Sequence, residues 1–269
     1  MQPLLKVENL VKNYAAGRSA RSKDKLAALD GVSLSVLPKT ATALVGESGS
    51  GKSTLAHCIA CLEHPTSGSI SFEGIDLAAL DEDQLRLLRP QIQLVFQDPA
   101  GSHNPRWTAL EIVSEPFFIQ RRFTKPDRAV RALQLLDRVA LSRKMASRRP
   151  SELSGGQKQR LAIARSLALE PKLIILDEAL SALDCSVQAQ ISNLLLELQS
   201  SLGLTYLFIT HDFRMAAHLA DQIAVMHRGR IVESGPAENI LRSPSHETTQ
   251  ALLGATSRLV ESPGVLVHA

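Results

Sequence analysis

The stretch Gly46-Glu47-Ser48-Gly49-Ser50-Gly51-Lys52-Ser53-Thr54 decides the fold of this chain. It follows an apolar run at residues 41–45 and precedes an apolar-patterned segment at residues 55–62. Its glycines let successive backbone N–H groups turn into one concavity that can hold phosphate oxygens, and a following helix adds its N-terminal dipole. The spacing also lets Lys52 reach the outer phosphates and the Ser53 hydroxyl ligate Mg²⁺. The sequence therefore predicts a strand, a phosphate-binding loop (P-loop) and a helix, in that order.

Composition limits the classes of protein that this chain can belong to. A chain of 269 residues with 44% hydrophobic residues can bury the core of one large α/β domain or of two small ones. Its 30 Lys and Arg residues exceed its 27 Asp and Glu residues by three, and aromatic residues make up 4%, so neither charge nor base stacking indicates nucleic acid. No apolar run approaches the roughly 18–20 residues of a membrane span, and the N-terminus lacks a signal-peptide pattern. We therefore expect a cytosolic protein.

Along the chain, strand-like and helix-like patterns alternate until about residue 97. Strands are predicted at residues 4–10, 28–37, 69–72, 92–96, 173–176 and 204–210. Helical periodicity appears at residues 81–89, 108–120, 127–141 and 161–169. The two helical patterns between residue 97 and about residue 150 follow an irregular loop and predict a helical insertion in the alternating chain.

The cysteines form no disulfide or metal framework. Cys58 and Cys61 make a C-x-x-C on the helix predicted after the P-loop, and the third cysteine, Cys185, is alone. Because no second pair follows, we interpret the two as small apolar residues on one helix face.

A second anion-binding device comes at residues 154–157, Ser-Gly-Gly-Gln, just before an apolar helix. Ser154 stands where a helix N-cap is expected, and the two glycines leave backbone N–H groups accessible. A helix start of this kind can hold an anion. One nucleotide does not need two such devices from one chain, so the sequence favours a dimer in which this segment faces the partner's nucleotide.

Polar residues directly follow the apolar strands that are expected to pair in parallel. Asp177 and Glu178 end the apolar strand at residues 173–176, His211 follows residues 204–210, and Gln97 follows residues 92–96. In open α/β sheets the ligand lies outside the carboxyl ends of the strands, where the P-loop also begins. These residues are therefore expected to serve the same bound phosphate.

Taken together, these motifs resemble those of ABC-type ATPases. The stretch at residues 153–157 is similar to the signature motif of that family and lies about 20 residues before a matching Walker B strand. The resemblance implies an α/β fold: a P-loop NTPase (RecA-like) core with a mostly parallel sheet, an N-terminal antiparallel β part and a helical insertion. It implies a nucleotide-binding domain over residues 4–235, with a helical subdomain at about 98–160, followed by a short tail at residues 236–269.

The resemblance also implies a role for each motif residue in ATP hydrolysis with Mg²⁺. Glu178 would be the general base, His211 would contact the γ-phosphate, and Gln97 would serve both the chemistry and the metal. The Mg²⁺ ligands would be Ser53, Gln97 and Asp177, some through water. Asp184 would couple the two sites of a dimer, and Tyr14 would stack on adenine. The remaining ATP contacts would come from Gly46, Glu47, Ser48, Gly49, Ser50, Gly51, Lys52, Ser53 and Thr54, and, toward the opposite nucleotide, from Ser154, Gly155, Gly156 and Gln157.

Residues 97–106 and 115–116 narrow the resemblance to the importer subfamily for peptides and nickel. In that subfamily two ATPase subunits, often different, pair head-to-tail beneath two integral membrane subunits that receive solute from an extracytoplasmic binding protein. The expected location is the cytoplasmic face of the inner (plasma) membrane. His103 departs from the subfamily, which commonly has Leu at this position. The tail has no cysteine, so the iron–sulfur cluster of many members is not expected.

Two other classes stay open at this point: an ATPase of a phosphonate-metabolism complex, and a soluble ABC-type ATPase acting on DNA or ribosomes. The chain lacks the long coiled coil of the DNA-repair members and the second nucleotide domain of the translation members. An importer of peptides, nickel or related small solutes is therefore the first hypothesis.

Overall fold

The computed structural model describes residues 2–14 and 26–261, and the chain falls into two compact units. The first unit comprises the described parts of residues 1–79 and 208–269, and the second comprises residues 80–207. The strands of the described residues are β1 (Leu5–Tyr14), β2 (Leu26–Val36), β3 (Ala41–Val45), β4 (Ser67–Phe72), β5 (Ile75–Asp76), β6 (Ile92–Val95), β7 (Leu173–Asp177), β8 (Thr205–Thr210), β9 (Gln222–His227) and β10 (Arg230–Pro236). The α-helices are α1 (Lys52–Ile59), α2 (Glu82–Leu88), α3 (Pro99–Ser102), α4 (Ala109–Ile119), α5 (Lys125–Arg138), α6 (Gly155–Leu167), α7 (Cys185–Leu202), α8 (Phe213–Leu219), α9 (Ala237–Arg242) and α10 (Glu247–Glu261).

An antiparallel sheet forms one part of the first unit, with strand order β2-β1-β4-β5. Strand β1 is its centre, where Leu5 lies opposite Val36 on one side and Phe72 on the other. Leu5, Val7 and Leu10 are fully buried, whereas Lys6 and Glu8 are exposed. Apolar residues thus alternate with polar ones along β1, which is why a strand could be predicted here. The predicted N-terminal antiparallel β part is confirmed.

Parallel pairing begins at the P-loop strand. Strand β3 is buried along its whole length and pairs in parallel with β9, with Val45 opposite Val225. Strand β9 pairs in the antiparallel sense with β10. A strand with no polar alternation needs cover on both faces, as in the sheets of α/β proteins. Strand β3 therefore delivers the P-loop from the buried interior of the first unit.

The second unit contains a parallel pair of strands and a group of packed helices. Ile92 of β6 lies opposite Leu173 of β7, and the helices α4, α5 and α6 pack against one another. Helix α4 begins at a capping box in which the Thr108 hydroxyl accepts a hydrogen bond from the Glu111 N–H and the Glu111 carboxylate accepts one from the Thr108 N–H. Helices α4 and α5 fall within residues 98–160, the range predicted for a helical subdomain, whereas α6 begins inside that range and ends beyond it at Leu167, and the boundary stays a prediction.

The prediction that both cysteines of the C-x-x-C lie on one helix is wrong. Helix α1 ends at Ile59, and Cys61 lies beyond it in the left-handed region with φ of 55°. Cys58 is buried in α1, and burial raises the pKa of its thiol to about 11. A protonated, buried thiol is unreactive, so the interpretation of Cys58 as a small apolar residue agrees with its surroundings.

Among the described residues, no helix combines the length and the apolar character that crossing a membrane requires.

Candidate nucleotide site

The P-loop wraps the start of α1 in the first unit. Its backbone closes in a tight turn, in which the Ser50 N–H donates to the Glu47 carbonyl over 3.2 Å. The Ser50 carbonyl accepts from the Gly229 N–H over 2.9 Å, so the β9–β10 hairpin supports the loop from outside. Helix α1 then begins at Lys52, directly after the loop, with Gly51 as its N-cap. The predicted strand, loop and helix are therefore present in the predicted order.

Two glycines of the loop stand where no side chain fits. A Cβ at Gly46 would lie 2.2 Å from the Met226 carbonyl oxygen, and one at Gly51 would lie 2.4 Å from the Ala28 carbonyl oxygen. Gly51 also has φ of 108°, which residues with a side chain rarely adopt. The backbone of the loop thus packs directly on neighbouring strands. This leaves the open side of the loop to a ligand, consistent with the cradle that the motif predicts.

Lys52 holds the loop together from inside. Its ammonium group donates to the carbonyl oxygens of Gly46 and Glu47 over 2.8 and 2.7 Å, and the side chain is 4% exposed. The charge is thereby placed within the loop itself rather than in solvent. A bound phosphate would supply a stronger, charged acceptor to the same ammonium group.

Tyr14 lies in a polar cluster that sequence reasoning did not find. Its hydroxyl donates to the Glu63 carboxylate, which also lies 3.3 Å from the Lys12 ammonium and 3.3 Å from the His57 ring. The Lys12 ammonium stands 5.1 Å from the centre of the Tyr14 ring. The Tyr14 hydroxyl, with Lys12 and His57, keeps the pKa of Glu63 below its usual value. The ring, 37% exposed, is thus held by its hydroxyl while its surface stays accessible.

His211 directly follows β8 in the first unit, as predicted, and is exposed. The next residue, Asp212, caps helix α8 by accepting from the Arg214 N–H over 2.8 Å. The Asp212 N–H donates back to the Thr210 hydroxyl over 3.0 Å. His211 is therefore fixed between a strand end and a capped helix start.

The second unit places two carboxylates at the end of β7. Asp177 is buried, with 7% exposure, and Glu178 follows it half-buried with φ of 45°. Left-handed backbone costs a non-glycine residue free energy, and such strain is common at functional sites. Here the Glu178 carbonyl accepts both the Ser181 N–H, over 3.1 Å, and the Ser181 hydroxyl, over 2.8 Å. The turn after β7 thus fixes the conformation of Glu178.

The signature segment begins α6, as predicted. The Ser154 hydroxyl accepts from the Gln157 N–H over 3.3 Å, and the Ser154 N–H donates to the Gln157 side chain over 3.0 Å. A Cβ at Gly156 would lie 2.5 Å from Cγ1 of Val187 on helix α7. The glycine is therefore required by a close approach of two helices, a reason that the sequence alone did not show. Asp184 is the N-cap of α7 and accepts from the Val187 N–H over 2.9 Å.

A cavity of about 380 Å³ brings several of these segments together within the second unit. Its lining includes Gln97 and Asp98 after β6, Gly155 and Gln159 at the start of α6, and Ala182 after β7. Gln159 is 1% exposed, and its amide nitrogen finds no acceptor among the described residues. Sequence reasoning missed Gln159, since a glutamine at the fifth position of a helix, just before its apolar run, carries no distinct signal. Gln97 and the signature segment thus share one cavity.

Comparisons with known proteins agree with this geometry. Residues 29–181 match the family model described as ABC transporter. The chain is 45% identical to the dipeptide transport ATP-binding protein DppF of Escherichia coli (strain K12) over 96% of its own length and 78% of the relative's. It is 48% identical to the probable peptide ABC transporter ATP-binding protein y4tS of Sinorhizobium fredii (strain NBRC 101917 / NGR234), over 94% and 72% of the two chains.

Solved structures show the same fold. The ATP-binding cassette MJ0796, a dimer in a post-hydrolysis state bound to ADP and Pi, matches with a TM-score of 0.78 and 34% identity, covering 87% of this chain and 98% of that one. The cassette cbiO1 from Clostridium perfringens, part of the ABC transporter complex cbiONQ, matches with a TM-score of 0.79 and 30% identity, over 97% and 100%. The predicted α/β fold with a P-loop core is confirmed. The chain belongs to the ABC transporter family and is one of its ATP-hydrolysing cassettes.

Proposed function

We propose that this chain is the ATPase subunit of an importer that carries peptides or related small solutes. The observation that carries the proposal is the likeness to relatives named for dipeptide and peptide transport, which extends over 94–96% of the chain. In this proposal two integral membrane subunits form the pathway and a binding protein outside the membrane delivers the solute. The chain then works at the cytoplasmic face of the membrane. Nickel is a second possible cargo, and the relatives named above favour peptides.

In this proposal Ser53, Gln97 and Asp177 would hold a Mg²⁺ ion bound with the nucleotide. Asp177 is a buried carboxylate at a strand end, and Ser53 is the second residue of the helix that follows the P-loop. Gln97 adds an amide oxygen. Oxygen ligands of this kind, few in number, suit Mg²⁺, which binds phosphates at the same time. The ion, when bound, neutralises charge on the phosphate oxygens.

In hydrolysis, some residues of this chain hold the nucleotide and others transfer a proton or contact the γ-phosphate. The P-loop N–H groups and Lys52 hold the phosphates, and Tyr14 stacks on adenine. Glu178 accepts the proton of the attacking water, and His211 donates a hydrogen bond to the γ-phosphate. Positioning and electrostatic stabilisation do most of the work in phosphoryl transfer, so each displaced residue costs rate.

Dimerisation completes the site in this proposal. Ser154, Gly155, Gly156 and Gln157 at the start of α6 contact the γ-phosphate held by the partner subunit, and Asp184 couples the two sites. The capped helix start supports an anion-binding role, since Ser154 and Gly155 are exposed there. The dimeric state of the related cassette MJ0796 also supports it. The partner subunit is a similar chain, expected to be a different one.

A transport assay with a hydrolysis-deficient variant tests the function. The chain is co-expressed with candidate membrane subunits, the complex is reconstituted in proteoliposomes with the binding protein, and uptake of a labelled dipeptide or of Ni²⁺ is measured with ATP. Wild-type complex accumulates the dipeptide, whereas Glu178→Gln complex binds ATP and closes but turns over at least 100-fold more slowly. Uptake of neither solute by wild-type complex, or undiminished hydrolysis by the variant, contradicts the proposal.

The dimer contact is tested with Ser154→Arg in one subunit of the pair. The bulky cation replaces the hydroxyl that caps α6, so nucleotide-dependent closure of the pair should fail while ATP binding to the P-loop persists. Size-exclusion chromatography of the Glu178→Gln pair with ATP reports closure. If the pair of subunits still closes when one of them carries Ser154→Arg, Ser154 does not act across the dimer.

A further inference from the structure

A second cavity of the second unit, of about 270 Å³, lies among β6, α4 and α6. Phe96 and Ile119, which line it, are 40% and 53% exposed, so apolar surface reaches solvent at its mouth. His103 and Arg165 line its polar part. The cavity shares no residue with the cavity that Gln97 lines. We name it the His103 cavity.

His103 is the unusual member of this lining. The residue is 5% exposed, yet neither ring nitrogen finds a hydrogen-bond partner among the described residues. Buried polar groups in folded proteins nearly always have a partner, and leaving one without a partner costs stability. A leucine would fill the same space without that cost. The imidazole therefore needs an explanation other than packing.

The charge around the cavity indicates what the imidazole can bind. Among the described residues of the lining, Arg165 alone carries a formal charge at neutral pH. Burial, and then the Arg165 charge, lowers the pKa of His103 to about 4 against the opposing charge of Asp98, so the ring is neutral and presents one N–H donor. Arg165 donates to the Glu115 carboxylate over 2.7 Å, and Glu115 does not line the cavity. The charge of Arg165 is thus already paired within the chain, and the ring N–H of His103 is the donor left to a partner; a carboxylate is the acceptor with which such a donor forms its strongest hydrogen bond.

We propose that His103 is a specificity-determining residue for the partner: its ring N–H donates a hydrogen bond to an Asp or Glu carboxylate on a segment of the membrane subunit that docks in the His103 cavity. Apolar side chains of the same segment pack on Phe96 and Ile119. The proposal rests on the function proposed above, since it names the chemistry by which this ATPase recognises its membrane partner. A partner segment without that acid leaves the imidazole buried and unpaired, and is discriminated against for that reason.

This assignment predicts an opposite effect of one substitution on stability and on assembly. His103→Leu removes an unpaired buried polar group, so the thermal midpoint of the isolated chain should rise by about 2–4 °C. The same change should weaken binding to the detergent-solubilised membrane subunits roughly tenfold or more, because the docked carboxylate loses its donor. His103→Gln keeps a donor and should retain most of the affinity. ATP binding to the P-loop should be unchanged in both variants.

The control is Leu136→Val, a substitution at a fully buried residue of α5 that does not line the cavity. It should lower the thermal midpoint and leave the affinity for the membrane subunits within twofold of wild type. A merely structural role of His103 predicts that His103→Leu behaves in the same way. That result overturns the proposal.

The carboxylate itself is found by changing each Asp and Glu in the cytoplasmic loops of the membrane subunits to Asn or Gln. One such change should weaken assembly by about the same factor as His103→Leu and add nothing to it in the double variant. If every pair is additive, no carboxylate is read by His103 and the proposal is wrong. If the wild-type chain self-associates and His103→Leu abolishes that self-association, the cavity binds a second copy of this chain instead, and the proposal is also wrong. If the wild-type chain neither binds nor energises any membrane subunits, the proposed importer function is wrong. If the wild-type chain assembles with them and the His103→Leu variant binds them equally well, only the His103 proposal is refuted.

Discussion

Gly156 offers the sharpest test of the signature segment, because its steric role can be separated from its proposed role toward nucleotide. An alanine there would place Cβ 2.5 Å from Cγ1 of Val187. Carbon atoms of packed side chains approach to about 3.5–4.0 Å, so the Val187 side chain must turn or α6 and α7 must separate by about 1 Å. Overpacking of this kind costs roughly 1–3 kcal/mol. Because Gly156 is the second residue of α6, alanine recovers only about 0.5 kcal/mol of helix propensity, which leaves a net loss of roughly 0.5–2.5 kcal/mol.

Val187→Ala should relieve the clash. It removes Cγ1 and Cγ2 from a half-buried side chain, which alone costs about 1 kcal/mol. In the double variant Gly156→Ala/Val187→Ala the new methyl group finds space, so the two losses should not add. The coupling free energy from the double-mutant cycle should be about 1–2 kcal/mol in favour of the pair.

Urea unfolding of the four proteins measures the cycle, and ATP hydrolysis by the assembled pair of subunits is measured in parallel. Stability should return in the double variant, but hydrolysis should stay low, since the alanine methyl group still stands at the helix start that we propose faces the partner's nucleotide. A Gly156→Ala chain as stable as wild type, or a coupling below about 0.3 kcal/mol, refutes the steric reasoning. Hydrolysis that recovers together with stability shows instead that Gly156 serves packing alone.

Three further outcomes follow from the contacts described above. Tyr14→Phe removes the hydroxyl that Glu63 holds, so steady-state assays should show KM for ATP raised several-fold with kcat within twofold; an unchanged KM contradicts a positioning role for Glu63. Burial raises the pKa of Glu233, but hydrogen bonds from the backbone and side chains of residues 245–249 outweigh burial and hold that pKa at about 2, against about 4.5 in the unfolded chain. The stabilisation that the ionised Glu233 contributes is therefore complete above pH 5 and is lost as pH falls toward 2. Discounted for exposure, this contribution is about 1 kcal/mol, and thermal denaturation between pH 5 and 3 should therefore be less pH-dependent for Glu233→Gln than for wild type. Cys185, which is exposed, should react with a thiol reagent in the native chain, whereas Cys58 should react after unfolding, and equal native rates contradict the burial of Cys58.

Element starts could be predicted from the sequence because their chemistry is local. The start of α4 is marked by Thr108 with a glutamate three residues later, and that of α6 by Ser154 with Gln157. In each pair the two side chains satisfy backbone groups within one turn, so neighbouring residues suffice to define the start. The apolar runs that become β3 and β7 are equally local.

Helix ends were harder because their stop signals were missing. Helix α1 ends at Ile59 although residues 60–62 continue the apolar pattern. The left-handed position beyond it is taken by Cys61, where a glycine would have marked the end. The Leu62 and Glu63 N–H groups both return to the His57 carbonyl, over 2.9 and 3.3 Å, and close the turn. Glu63 is thereby brought to Tyr14, a contact between residues 49 apart that no local pattern could predict.

Glu178, the strained residue directly after β7, has a backbone conformation that the sequence motif alone does not specify. The sequence places Glu178 after an apolar strand, and an extended backbone would continue the side-chain alternation of that strand. With φ of 45° the chain leaves the strand direction at this residue instead, and two hydrogen bonds from Ser181 to its carbonyl hold it there. Strain of about 1–3 kcal/mol persists only where surrounding contacts enforce it. Ser181, three residues after the acid, therefore fixes the backbone of Glu178, and that backbone sets the direction of the carboxylate that we propose accepts the proton.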